Sequence, residues 1–268
     1  MTAPLRASPV VVAVATQKGG TGKTTTSMAL SAALARAGDP VLLVDLDPQG
    51  HSTIGLGLDV DDEQVRARTV RDLLSDDPLP LSAVTHQTGV ANLAIVPATI
   101  RLERVAQWLY GAPARDRRLT TALQPAAGRY RWIVLDCLPS LGPLVENALM
   151  AADAVLLPCK MEARATDGAR DLLEVLQLLR PGFANWRILR NARDSRRALA
   201  NATADALFAQ YDDHLLDTII PQCDDLNHAQ FKGVDIFSYA AHSTGAIAYT
   251  QLAAEIQRRW APGAVATS

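Results

Sequence analysis

The sequence predicts an α/β protein built on a doubly wound, mainly parallel sheet with helices on both faces. Three observations carry this. Short apolar runs rich in β-branched residues alternate with longer helix-patterned segments, a glycine-rich turn follows the first run at once, and acidic residues close two of the runs.

In chain order, a strand is expected at Val10 to Ala15 and, after the glycine turn, a helix at Thr24 to Ala37. A second strand follows at Val41 to Asp45. Gly55 to Pro80 holds an acidic cluster (Asp59, Asp61, Asp62, Glu63) and then Asp76-Asp77-Pro78, which reads as a solvated surface loop. Further strands are expected at Leu93 to Val96, Trp132 to Asp136, Ala154 to Pro158 and Trp186 to Leu189, with a weaker one at Leu216 to Ile220. Helical periodicity marks Ile100 to Tyr110, Thr166 to Leu179, Ala198 to Tyr211 and Thr244 to Trp260.

Composition narrows the class. With 49% hydrophobic residues, 20% charged and a net charge of -2, the 268-residue chain has enough apolar content for a substantial core and lacks the all-over positive charge of a coat for nucleic acid. Any nucleic-acid contact is therefore expected to be local. No repeat, linker or compositional break appears, so residues 1-268 read as one domain with its core at about 10-260. Three scattered cysteines (Cys137, Cys159, Cys223) form neither a disulfide framework nor a metal motif, Met1 to Pro9 lacks a signal-peptide layout, and no apolar stretch is long enough to span a bilayer. These features point to the cytoplasm. The basic residues divide into 22 Arg and only 4 Lys, and two of those lysines, Lys18 and Lys23, lie five residues apart.

Both lie within the most informative segment, Gln17-Lys18-Gly19-Gly20-Thr21-Gly22-Lys23-Thr24-Thr25, between the first strand and the first helix. Glycines let backbone N–H groups turn inward around phosphates, and the helix that follows presents its N-terminus to negative charge. In such a loop Lys23 reaches the β- and γ-phosphates and the Thr24 hydroxyl ligates Mg²⁺. The common pattern GxxxxGK[ST] is not met, because Gln17 stands where its first glycine belongs; an additional lysine, Lys18, opens the loop instead. Asp45, Asp47 and Asp136 lie at the carboxyl ends of predicted strands, the edge where a doubly wound sheet binds ligands and where phosphoryl transfer needs carboxylates.

KGGTGKTT resembles the deviant Walker A motif of the ParA/MinD group of P-loop ATPases. Val41 to Gly50 is similar to that group's second strand and first switch, Asn92 to Thr99 to its third-strand segment, and Asp136-Cys137-Leu138-Pro139-Ser140 to its DCPPS second switch. The similarity runs from about Val10 to Trp260, and the DPQG and DCxPS forms resemble the ParA (Soj-like) partition ATPases. The resemblance implies a P-loop NTPase fold, ATP and Mg²⁺ as cofactors, and a nucleotide-sandwich homodimer in which Lys18 reaches the partner's ATP. It implies nucleotide contacts from Lys18, Gly19, Gly20, Thr21, Gly22, Lys23, Thr24 and Thr25, metal contacts from Thr24, Asp47 and Asp136, and a catalytic set of Lys18, Lys23 and Asp47, with Asp47 positioning the water and Asp45 supporting it. Leu138 departs from the usual proline and loosens one backbone restraint of the second switch. Cys137 reads as a small buried residue.

Asn191 falls where the group places an amide at the adenine edge, and Pro221 where it flanks the base. Arg180 to Arg197 carries six arginines against one acid, Asp194, which makes Arg187, Arg190, Arg193, Arg196 and Arg197 candidate contacts to DNA phosphates. By resemblance the function is DNA segregation: an ATP-bound dimer holds nonspecific double-stranded DNA on the nucleoid, and a ParB-like centromere-binding protein stimulates hydrolysis and release. With the first strand opening almost at once, no N-terminal helix-turn-helix domain is expected. The alternative is a MinD-like or other positioning ATPase for a protein cargo or membrane surface. A MinD-like protein needs a basic amphipathic C-terminal helix, and the tail from Gln257 to Ser268 is broken by Pro262 and Gly263, so no membrane partner is expected. An iron–sulfur relative needs a paired-cysteine arrangement that the spacing does not supply.

Overall fold

The structure is a computed structural model that describes residues 8–260. Eight strands form one sheet: β1 (Val10–Val14), β2 (Val41–Asp45), β3 (His86–Gln87), β4 (Leu93–Val96), β5 (Trp132–Asp136), β6 (Ala154–Lys160), β7 (Trp186–Arg193) and β8 (Leu215–Pro221). Their spatial order is β3-β4-β2-β5-β1-β6-β7-β8, and every neighbouring pair is parallel except β3 with β4. The helices are α1 (Lys23–Arg36), α2 (His51–Gly55), α3 (Glu63–Arg66), α4 (Val70–Leu74), α5 (Leu81–Val84), α6 (Leu102–Leu109), α7 (Arg118–Leu123), α8 (Pro143–Ala151), α9 (Asp167–Leu179), α10 (Ala198–Phe208), α11 (Asp224–Phe231), α12 (Ile236–Ala240) and α13 (Thr244–Trp260).

Strand alternation divides the apolar side chains between two cores. Val10, Val12 and Val14 of β1, with Trp132 and Val134 of β5, pack against α1, α11, α12 and α13. Val11 and Ala13, with Ile133 and Leu135, face α4 through α10. Central strands buried on both faces read as unbroken apolar runs, which is why they were legible in the sequence. Helix α1 is buried along most of its length and rich in alanine and serine, residues small enough to lie between the sheet and α13. Strand β1 sits between β5 and β6, so the chain turns to opposite sides of the sheet from this point and leaves a crevice at the carboxyl edge.

Several boundaries differ from the sequence expectation. Gly55 to Pro80 is not an extended solvated loop. Asp59, Asp61, Asp62 and Glu63 are exposed as expected, but Asp62 caps α3, a Thr69/Asp72 capping box opens α4, and Val65, Val70, Leu73 and Leu74 are buried. The acidic residues masked a short apolar pattern. Strand β7 runs on from Leu189 to Arg193, and the helix begun at Ala198 ends at Phe208, giving way to a 3₁₀ turn through His214. No helix among the described residues is long and apolar enough to cross a membrane. The tail break at Pro262 and Gly263 lies outside the described residues.

A close backbone approach ties α2 to the segment after α11. Gly57 has φ +84°, and a Cβ there would stand 2.8 Å from the Gly233 carbonyl oxygen. Gly57→Ala should therefore destabilise the fold by about 1–3 kcal/mol. Urea unfolding measures this, and a midpoint equal to that of the parent would refute it.

Candidate nucleotide site

Between β1 and α1 the chain makes the turn that the sequence predicts for a phosphate cradle. Gly20 and Gly22 take φ of +70° and +89°, and Gly22 is the N-cap of α1 with no side-chain cap, so the first helical N–H groups are left to an external acceptor. The loop is pinned from inside and from the sheet. Thr16 Oγ1 and Thr21 Oγ1 lie 2.8 Å apart, and Asn191 Nδ2 donates to the Thr21 carbonyl at 2.6 Å. A Cβ on residue 22 would fall 2.2 Å from Asn191 Nδ2, so glycine is required there for packing as well as for φ.

Lys23 is buried and folds back over the loop, its Nζ donating to the Lys18 carbonyl at 2.9 Å. Burial lowers its pKa, and the nearby Asp136 carboxylate opposes that shift. A buried ammonium beside uncapped amides is the electrostatic arrangement a polyphosphate needs. Lys18 points elsewhere. Its ammonium is paired with Glu162 and lies 3.5 Å from the Arg164 carbonyl, with its side chain 36% exposed. Gly168 in the first turn of α9 makes room for it, because a Cβ there would be 2.8 Å from Lys18 Cβ.

Beneath the loop, Asp45 and Asp136 stand side by side as register partners of β2 and β5, both fully buried. Ser27 and Ser52 donate to Asp136 at 3.0 and 2.6 Å. Asp45 accepts from Thr53 N and Oγ1 at 3.0 and 2.8 Å and from Asp47 N at 3.1 Å. Burial raises the pKa of both carboxyls, and Asp136 raises that of Asp45 further by its charge. Asp47 is half-buried and closes its own turn by accepting from Gln49 N at 3.0 Å. Among the described residues no cluster of three or more His, Cys, Asp or Glu forms a cage for a metal ion. One buried carboxylate with a threonine hydroxyl beside a phosphate cradle is the donor set that suits Mg²⁺, which takes one or two protein ligands and completes its shell from phosphate and water.

Gly20, Gly22, Thr25, Asn191 and Pro221 line one cavity of about 170 Å³ together with Lys160. The loop and the two residues expected at the base thus share a pocket. The Asn191 amide is engaged already, with Nδ2 on Thr21 and Oδ1 accepting from Ala192 N, which leaves one N–H and one lone pair.

The arginine segment does not form one exposed patch. Arg187 is half-buried and donates to the Trp186 carbonyl at 2.7 Å, and burial lowers its pKa. Arg190 and Arg193 both approach Asp205, at 3.8 and 3.1 Å. Arg196 is exposed but paired with Asp194 at 2.9 Å, whereas Arg197 is exposed and belongs to none of the ion pairs among the described residues.

A family model described as an AAA domain matches residues 10–186. The chain is 41% identical over 261 residues to the chromosome-partitioning ATPase Soj of Thermus thermophilus, covering 95% of this chain and 98% of that one. It is 37% identical over 250 residues to the sporulation initiation inhibitor protein Soj of Bacillus subtilis, covering 92% and 97%. The chain belongs to the ParA/MinD family of P-loop ATPases. A solved structure titled cobyrinic acid a,c-diamide synthase from Mycobacterium smegmatis, with bound ATP analogue and magnesium, superposes with a TM-score of 0.80 at 32% identity over 95% of this chain and 97% of that one.

Within this family setting, the residues that sequence reasoning missed are the supports. Ser27, Ser52 and Thr53 hold the two carboxylates, Glu162 holds Lys18, and Gly168 gives it space. Only Ser27 carried a hint, one helical turn beyond Lys23; Ser52 lies 84 residues from the carboxylate it serves.

The paired carboxyls imply a pH signature. Their folded-state pKa values are raised, so the native metal-free protein holds more protons than the unfolded chain between the ordinary carboxylate range and neutrality, and this contribution to stability is lost as pH rises. Without metal or nucleotide, the melting midpoint of Asp45→Asn should fall less than that of the parent between about pH 5.5 and about pH 8. Parallel pH profiles in calorimetry would contradict the paired-carboxyl account.

Proposed function

We propose that this chain acts as a single-domain ATP-dependent partition ATPase. In this reading it binds ATP and Mg²⁺, forms a nucleotide-sandwich homodimer, and holds nonspecific double-stranded DNA on the nucleoid until a ParB-like centromere-binding protein stimulates hydrolysis. The observation that carries it is the second lysine of the loop. Lys18 is half-exposed at the rim of the phosphate cradle and is held by Glu162 rather than by its own loop, as a group destined for a partner's phosphates would be.

The remaining roles follow from position. Gly19, Gly20, Thr21, Gly22, Thr24 and Thr25 enclose the phosphates with backbone N–H groups and hydroxyls, and Lys23 neutralises them from within the fold. Thr24, Asp136 and Asp47 are the residues that would hold Mg²⁺, directly or through water; when bound, the ion neutralises charge developing on the transferred phosphoryl group. Asp47, at the head of the first switch, orients the attacking water. Ser52 and Thr53 in α2 connect that switch to Asp136 and Asp45, so a change at the γ-phosphate is felt in α2. Asn191 and Pro221 flank the base.

For hydrolysis, Lys18→Ala should bind ADP as the parent does yet show no ATP-dependent dimer and no turnover, while Asp47→Ala should accumulate as an ATP dimer. Light scattering and phosphate release test both, and a monomeric Asp47→Ala in ATP would reject the assignment of water positioning. For DNA, Arg187, Arg190 and Arg193 are drawn into the fold, so the exposed pair Arg196 and Arg197 is the portion of the cluster best placed to meet phosphates. Charge reversal at Arg196 and Arg197 together should weaken DNA retention by about tenfold at moderate salt and leave dimerisation intact. Equal gel shifts for variant and parent would remove DNA binding from this surface.

A further inference from the structure

We infer that Lys160 is a nucleotide-contacting residue that binds the phosphate chain from outside the loop motif. The inference rests on the reading of this cavity as a nucleotide site and extends it to a residue no motif marks. The chain has only four lysines. Lys18 and Lys23 belong to the loop, and Lys232 lies over the Tyr239 ring at 5.1 Å. Lys160 is the last residue of β6, exposed at the end of a strand that is otherwise buried, and it stands beside Asn191 in the register of β7. It shares a cavity with Gly20, Gly22 and Thr25, whose turn is built for phosphate. Lys160 belongs to none of the ion pairs among the described residues, although Glu162, two positions on, is paired with Lys18.

Chemistry selects what such a lysine would bind. An ammonium is a donor-only point charge, so it gains little from a base edge that presents an amino group and most from ionised phosphate oxygens. The cavity already offers uncapped backbone amides, and a second cation on a separate element adds charge without disturbing the loop. Lys160 would thus raise affinity for nucleotides in proportion to their phosphate charge, while base recognition stays with Asn191 and Pro221.

Calorimetric titration of the full chain with ADP and with adenosine tests this. Lys160→Gln should weaken ADP binding by about five- to tenfold and flatten its salt dependence, with adenosine affinity unchanged. Lys160→Arg should keep most of the ADP affinity, and Lys232→Gln, the other exposed lysine, should behave as the parent. ADP binding within twofold of the parent in Lys160→Gln would make Lys160 a solvated surface residue and overturn the proposal. An equal loss for adenosine would place the contact on the nucleoside and overturn the phosphate assignment. A parent chain that binds neither compound would instead overturn the nucleotide reading on which the proposal stands.

Discussion

Two carboxylates buried side by side at the carboxyl ends of β2 and β5 impose the arrangement of everything around them. Asp45 and Asp136 are both removed from water and would repel each other if both were ionised, a combination tolerated only where hydroxyls and amides replace the lost solvation. Those donors come from three places: Ser27 from the start of α1, Ser52 and Thr53 from α2, and the amide of Asp47 from the turn after β2. The start of α1, the turn after β2 and α2 therefore converge on one buried pair of carboxyls. Protonation or a bound metal satisfies this pair, and this links the state of the site to the positions of the segments that surround it.

The distribution of lysine shows how charge is allotted. Lys23 is buried and committed to the loop, Lys18 is held at the rim by Glu162, and Lys160 ends β6 at the wall of the cavity. Arginine does different work in this chain. Arg36, Arg71, Arg131 and Arg259 pair with carboxylates as parts of the packing, and Arg190 and Arg193 converge on Asp205. A planar, multidentate guanidinium suits fixed structural pairs, whereas a compact ammonium on a flexible stem suits a phosphate group that comes and goes. A run of arginines in the sequence consequently overstated the free positive surface.

The central strands and the phosphate loop were legible because their signals are local. Val10, Val41 and Trp132 open apolar runs buried on both faces, and the loop glycines lie within four residues between a strand and a helix. Short helices such as α3 and α4 were hidden, since a single turn gives too little periodicity and their capping carboxylates look like solvent-facing charge. Asn191 lines the cavity beside the loop, but the Thr21 carbonyl as its partner was not foreseeable at a separation of 170 residues.

By itself the sequence determined the layer order, the phosphate turn and the carboxyl-edge aspartates, because strand alternation, glycine conformational freedom and helix-terminal electrostatics are all written in neighbouring residues. Only the tertiary structure decided which charges are free. Burial and pairing depend on residues brought together from distant parts of the chain: Glu162 holding Lys18 across 144 positions, Ser52 serving Asp136, Asp205 absorbing two arginines, and Lys160 left facing the cavity without a partnered carboxylate. Desolvation and Coulomb interaction act through space, so composition, 26 basic residues against 28 acidic, set how much charge the chain carries, and packing alone set where it is available.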